Sequence, residues 1–192
     1  MRAATINNKT KETDIALTFA IDDKKTISID TKVPFLDHML TLFAFHGNFS
    51  LTISCQGDIE VDDHHTVEDI GLALGEAIKK ALGDKVGINR YAAILMPMDE
   101  TLARVVLDIS NRPFLVYNAR LERDKLGTMD TQNVQEFLKS LAFKAGLTLH
   151  AEVLYGENDH HKVEAIFKAL GKALKEASTV TTNTLPSSKG VL

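Results

Sequence analysis

Residues 62–69 read DDHHTVED and residues 158–164 read NDHHKVE, so His-His-x-x-Glu occurs once in each half of a 192-residue chain. Shifted by 96 positions, the first copy lies on the second: Asp63 on Asp159, His64 on His160, His65 on His161, Val67 on Val163 and Glu68 on Glu164. The match runs on without a gap, with Ile70 on Ile166, Ala73-Leu74-Gly75 on Ala169-Leu170-Gly171, Ala77 on Ala173, Lys79 on Lys175 and Ala81 on Ala177. So long a shared register implies an internal duplication whose two copies share a fold.

Each copy opens an amphipathic helix. Val67, Ile70, Ala73, Leu74, Ala77, Ile78 and Ala81 recur at i, i+3, i+4, i+7 spacing, as do Val163, Ile166, Ala169, Leu170, Ala173 and Leu174. Before each helix comes a strand: Phe49, Leu51, Ile53 and Cys55 alternate with polar residues, and so do Leu147, Leu149, Ala151 and Val153. Before each strand comes another helix, in PFLDHMLTLFAFHG and in TQNVQEFLKSLAFKAG. Of the rest, Ile15, Leu17, Phe19 and Ile21 alternate, residues 26–30 form a short strand, and YAAILM and LARVVLDI flank the turn-like PMDE. Each half therefore reads strands, helix, strand, helix. That is an α+β pattern built twice, residues 1–88 and 89–192, joined near Gly87 to Arg90 into one compact unit.

With 44% hydrophobic residues the chain can bury a full core. Its only cysteine, Cys55, rules out an intrachain disulfide and a thiolate cluster, so any metal must rest on His and carboxylate. A formal charge of -4 without a basic run argues against nucleic acid or an anionic membrane as the main partner and favours a small polar substrate. No apolar run approaches a membrane span, and MRAATINNKTKETD lacks the apolar core of a signal peptide. A cytoplasmic location is expected.

Residues four apart on a helix sit about 40° apart around its axis, so His64 with Glu68, and His160 with Glu164, can grip one ion each. Adjacent histidines project about 100° apart and suit two different ions better than one. The doubled motif thus points to two metal sites, each drawing on both helix copies. His38 and His150, in the elements preceding the motif helices, complete eight candidate ligands, four per metal. Four protein ligands leave positions open on a six-coordinate ion, the mark of a catalytic site. The donor set is compatible with Mn, Fe or Zn. Asp63 and Asp159 read equally well as helix caps or as acceptors for a ligand imidazole N–H. One isolated HHxxE would read as surface helix polarity; its repetition favours metal.

FLDHML, DDHHTVEDIGLALGEA, PMDETLARVVLDIS, NDHHKVEAIFKALG and LPSSKGVL together resemble the imidazoleglycerol-phosphate dehydratase family of histidine biosynthesis, from about Arg2 to Leu192. The resemblance implies four helices sandwiched between two mixed β-sheets, the ribosomal protein S5 domain 2-like arrangement. It implies a hydro-lyase that removes water from imidazole glycerol phosphate to give imidazole acetol phosphate. It further implies two Mn(II) ions per active site and a homo-oligomer of 24 subunits with active sites at subunit interfaces. The implied ligands are His38, His64, His65, Glu68, His150, His160, His161 and Glu164. Glu12, in TKETDI, is the implied acid/base, although by residue type alone it is an ordinary strand-end carboxylate. Arg90, Arg112, Ser187, Ser188 and Lys189 are the implied phosphate and substrate contacts; Lys168 joins them only through its place in the second motif helix. Three departures stand out: Asn8 where arginine is common, KVPFLDHM for GVGFLDHM, and Asn111 where glycine is usual. A dinuclear hydrolase of a small phosphorylated substrate is the competing enzyme class, and a non-enzymatic metal-binding or shell-forming protein is the third reading.

Overall fold

The computed structural model describes residues 1–23 and 26–192. Its first half runs β1 (Ala3–Lys9), β2 (Thr13–Ala20), β3 (Ile27–Asp30), α1 (Pro34–Gly47), β4 (Ser50–Gly57) and α2 (His64–Leu82). The second runs β5 (Tyr91–Met98), β6 (Thr101–Asp108), β7 (Phe114–Asn118), a ribbon of β8 (Lys125–Leu126) and β9 (Met129–Asp130), α3 (Gln132–Ala145), β10 (Thr148–Tyr155) and α4 (Asp159–Ser178). The sheets have the same plan, β1-β2-β4-β3 and β5-β6-β10-β7, and in each the last pair is parallel while the others are antiparallel. This is the α+β duplication expected from the sequence.

Four strands escape a reading by periodicity. In β1, AATINNK buries only Ile6, because the strand is an edge with one neighbour. The β7 strand, FLVYN, is likewise an edge, held by parallel pairing with β10, and the β8–β9 ribbon is too short to show any period. Central strands do show it: Ile15, Leu17 and Phe19 of β2 are buried while Asp14, Ala16 and Thr18 are exposed.

Both motif helices bury their apolar stripe on their own sheet, α2 on β1 and β2, α4 on β5 and β6. Across the middle of the molecule α2 packs on α3, and α1 on α4. The halves therefore meet helix to helix, and one core runs through both. Glycine makes the close approach possible. A Cβ on Gly75 of α2 would lie 2.7 Å from the Leu141 carbonyl oxygen of α3, and one on Gly171 of α4 would lie 2.3 Å from the Phe43 carbonyl oxygen of α1. These glycines occupy the same place in the duplication.

The departures have local explanations. Pro34 sits in the first turn of α1, where no helical N–H is lost, and Asp37 receives the Thr31 backbone N–H (2.9 Å) and hydroxyl (2.6 Å). Asn111 has φ 56°, a left-handed conformation that asparagine tolerates better than most residues, which accounts for glycine elsewhere at that position. Asn8 lies on β1 opposite Ile15 and is exposed. The segment from Gly87 to Arg90 is no free linker: Gly87, Asn89 and Arg90 donate backbone bonds to Thr184, Thr179 and Ala177.

Candidate metal centre

The N-terminal end of α4 is built by local bonds. Asn158 caps the helix, its side chain accepting the His160 N–H at 2.9 Å. Asp159 is buried and receives the backbone N–H groups of Glu122 (2.7 Å) and Arg123 (2.8 Å) and the Lys162 ammonium (2.8 Å). It is therefore neither the cap nor an imidazole acceptor, but the clamp that fixes the helix start to the preceding loop. On this support His160 Nε2 stands 3.1 Å from Glu164 Oε2, and His38 of α1 brings its Nε2 within 3.4 Å of the same oxygen. Donor atoms of His38, His160 and Glu164 all lie within 4.8 Å of one another. Phe35 packs edge-on against the His160 ring, 5.3 Å between centroids.

Two nitrogens and one carboxylate oxygen so gathered fit one transition-metal cation, since metal–ligand bonds near ~2.1 Å bring cis donors to roughly 3 Å. Lys168 Nζ lies 2.5 Å from the other oxygen of Glu164. Burial raises the Glu164 carboxyl, but Lys168, His160 and His38 outweigh it and hold the group below its ordinary range. The carboxylate is thus ionised and ready to ligate.

The first-half motif has the same helix and different neighbours. His64 Nε2 is 3.5 Å from Glu68, and its Nδ1 is 3.1 Å from the Asn133 side-chain oxygen. Asn133 in turn donates to Asp63 at 3.0 Å, and Asp63 also receives the Asp130 N–H. Here Asp63 holds the cap position without a side-chain cap bond, and it is Asp62 that accepts the His64 N–H at 2.9 Å. Asp63 so reaches the imidazole only through Asn133. Aligning the L-x-x-x-A-F runs of α1 and α3 puts Glu136 where His38 stands. Glu136 lines, with His64, Asp62 and Gln132, an open cavity of about 420 Å³.

The second histidine of each pair turns to a carboxylate. His65 Nδ1 is 3.1 Å from Asp58, with Glu12 at 4.0 Å from Nε2. His161 Nδ1 is 2.7 Å from Glu100, with Asp99 at 3.8 Å from Nε2. The hydrogen bonds from Asp58 and Glu100 push the two imidazoles above their ordinary pKa. His150 goes elsewhere. Its neighbours Leu149 and Ala151 are fully buried against the helices, so strand alternation places it on the outer face of the second sheet, in register with Ala93, Val106 and Val116. Within one chain the two motifs have different helical partners: His160 and Glu164 meet His38 of α1, and His64 meets Asn133 of α3.

Arg90, Arg112, Ser187, Ser188 and Lys189 line one cavity of about 450 Å³. The Arg90 guanidinium is spent on Asp108 (2.7 and 3.1 Å) and the Pro186 carbonyl (2.8 Å), which ties down the tail. Arg112, with 69% of its side chain exposed, stands at 3.7 Å from Asp108 and offers the freer guanidinium. Lys168 is not in this group; it belongs to the His38–His160–Glu164 cluster. Glu12 lies in the β1–β2 turn with 54% of its side chain exposed. Burial pushes the Cys55 thiol to about 11, so it offers no thiolate. Asp58, Glu100, Asn133 and Glu136 were not legible as site residues, although Glu100-Thr101 does repeat Glu12-Thr13.

A family model described as imidazoleglycerol-phosphate dehydratase matches residues 31–174. Among curated relatives, the imidazoleglycerol-phosphate dehydratase of Clostridioides difficile is 54% identical over 192 residues, all of both chains. That of Halalkalibacterium halodurans is 56% identical over 194 residues, again all of both. The crystal structure of the Staphylococcus aureus dehydratase superposes with TM-score 0.86 at 44% identity, covering 93% of this chain and 99% of that one. That of the Pyrococcus furiosus protein gives TM-score 0.86 at 38% identity, covering 97% and 100%.

Proposed function

The chain belongs to the imidazoleglycerol-phosphate dehydratase family, and from that premise we propose that it works through two Mn(II) ions per active site, shared between subunits of a homo-oligomer of 24 chains. It is a hydro-lyase that converts imidazole glycerol phosphate to imidazole acetol phosphate in histidine biosynthesis. No helix among the described residues is long and apolar enough to cross a membrane, and we place the enzyme in the cytoplasm. The gathering of His38, His160 and Glu164 donor atoms within 4.8 Å carries the metal reading. One ion rests on those three, the other on His64 and Glu68, with His65, His150 and His161 supplied across subunit contacts. The outward placement of His150 supports sharing: the same sheet face exposes Tyr91, Leu95 and Phe114, apolar surface that a neighbouring subunit would cover.

Water leaves by loss of a carbon-bound hydrogen and of the hydroxyl on the carbon joined to the ring. The hydrogen stands beside no carbonyl, so the imidazole ring must take up the electrons. Bound Mn(II) supplies the Lewis acidity that makes the ring easier to deprotonate. Glu12, beside the His65 imidazole, accepts the carbon-bound proton as the general base. Arg112, Lys189 and the Ser187 and Ser188 hydroxyls hold the phosphate, while Arg90 fixes the tail that carries them. Lys168 assists the substrate from beside Glu164.

Product analysis with metal analysis tests this. A ketone with phosphate retained, stoichiometric Mn(II), and a Glu12→Gln variant that keeps its metal but loses turnover are the expected results. Release of inorganic phosphate would make the protein a hydrolase, and unchanged turnover in Glu12→Gln would remove Glu12 from the mechanism.

A further inference from the structure

Glu12 has an internal counterpart. Lys11-Glu12-Thr13 opens β2 and Asp99-Glu100-Thr101 opens β6, and these two strands hold the same place in their sheets. Thr13 and Thr101 are both buried; Thr13 pairs with Gly57 at the end of β4, and Thr101 packs on Gly156 just after β10. The residue before each threonine is a glutamate beside the second histidine of its own half, His65 for Glu12 and His161 for Glu100. Yet the copies are held differently. Glu12 has one loose contact, 4.0 Å to His65 Nε2, and Asp58 occupies His65 Nδ1. Glu100 is fully engaged: one oxygen accepts the N–H groups of Glu157 (3.1 Å) and Asn158 (2.9 Å) and the Thr101 hydroxyl (3.0 Å), and the other takes His161 Nδ1 at 2.7 Å.

We propose that Glu100 is the duplicated copy of Glu12 refitted as a positioning residue: it holds the His161 proton on Nδ1 and leaves Nε2 as the ligating nitrogen. Asp58 does the same for His65, and that division of labour frees Glu12 to transfer protons. A carboxylate on one imidazole nitrogen fixes tautomer and ring orientation and typically raises metal affinity 10- to 100-fold. An amide at the same place can donate instead of accept, putting the ring proton on the ligating nitrogen. The inference rests on the metal reading of the two motifs.

The test is Mn(II) affinity, read from free Mn(II) in a spectroscopic titration of the purified full chain, with folding followed by thermal melting. Glu100→Gln is expected to weaken binding of one Mn(II) about 10- to 100-fold, and Glu12→Gln to leave binding unchanged. Because Glu100 also secures the start of α4, Asp58→Asn is the parallel variant: among the described residues its side chain hydrogen-bonds His65 alone, and the same loss is expected. His161→Ala separates the two levels of inference. Wild-type affinity in Glu100→Gln and Asp58→Asn with weakened binding in His161→Ala overturns the positioning role alone. Wild-type affinity in all three overturns the metal reading beneath it. A lowered melting temperature with affinity intact also overturns the proposal, since a purely structural brace would behave that way.

Discussion

The two HHxxE neighbourhoods are one scaffold decorated twice. In the second half the motif meets His38, a buried Glu164 and a compensating Lys168, and three donor atoms converge without help from another chain. In the first half the same helix face meets Asn133 and Glu136, and the cavity beside His64 stays open. Duplication therefore conserves where the paired histidines and glutamate stand, while the residues across the helix interface decide what they meet within the chain. On the reading proposed above, the second site is preformed within the chain and the first is completed by a partner subunit.

The strongest way to probe that contrast is at the helix starts. Asp159→Ala leaves the buried Lys162 without its carboxylate, holding only the Arg120 carbonyl, and strands two backbone N–H groups, and should lower unfolding free energy by about 3–5 kcal/mol in urea titrations. Asp63→Ala removes a half-buried carboxylate that has no ammonium partner among the described residues, and should cost only about 1–2 kcal/mol. Equal losses would mean that the two starts are held alike. For the metal, His160→Ala should weaken Mn(II) binding by the subunit about 100-fold, roughly 2.7 kcal/mol, and His64→Ala about tenfold. Titration of dilute protein reads the difference, and the reverse order would contradict preformation of the second site.

Smaller effects test the interface of the halves. Alanine normally improves a helix over glycine by about 1 kcal/mol, but Gly171→Ala sets a methyl 2.3 Å from a backbone oxygen, and overpacking by about 1–3 kcal/mol should win. Gly75→Ala, at 2.7 Å, should destabilise less, and a calorimetric scan of both variants ranks them. The smallest effect is at Arg2, which pairs with Asp22 and also donates to the Ser178 carbonyl at the end of α4. The Arg2 side chain lowers the Asp22 carboxyl from 3.8 to about 2. That stabilisation is present above pH 3.8 and fades as pH falls toward 2. Discounted for solvent screening, Asp22→Asn should cost below about 1 kcal/mol at neutral pH, and the cost should shrink as pH falls through about 2, as melts across that range would show.

How much of this the sequence discloses depends on whether the determinant is local. The motif helices, their apolar stripes and the central strands are visible because burial on one side imposes a period on adjacent residues. Edge strands β1 and β7 impose none, having one paired side and little buried surface. The paired histidines and glutamates were legible from the repeat, but not which residues of other helices face them, because a stripe says that α4 packs without saying on what. The distribution of His38 to the second motif and Asn133 to the first is fixed only by which helices cross. Likewise Glu100 braces a histidine 61 residues away, a contact no local spacing encodes. Asp63 and Asp159 misled for the opposite reason: their neighbours Asp62 and Asn158 took the capping bonds, freeing both for contacts with distant segments.

The crossing glycines have one more implication. Gly75 and Gly171 each follow their motif glutamate by seven residues, about 10 Å along the helix. Each crossing is thus a fulcrum about two turns from a ligand, where backbone touches backbone and nothing can give. A single methyl added at the fulcrum would press on a carbonyl oxygen of the crossing helix, 2.7 Å away at Gly75 and 2.3 Å at Gly171. The setting of the motif residues thus depends on a place that never touches them, and on the absence of an atom there rather than the presence of one.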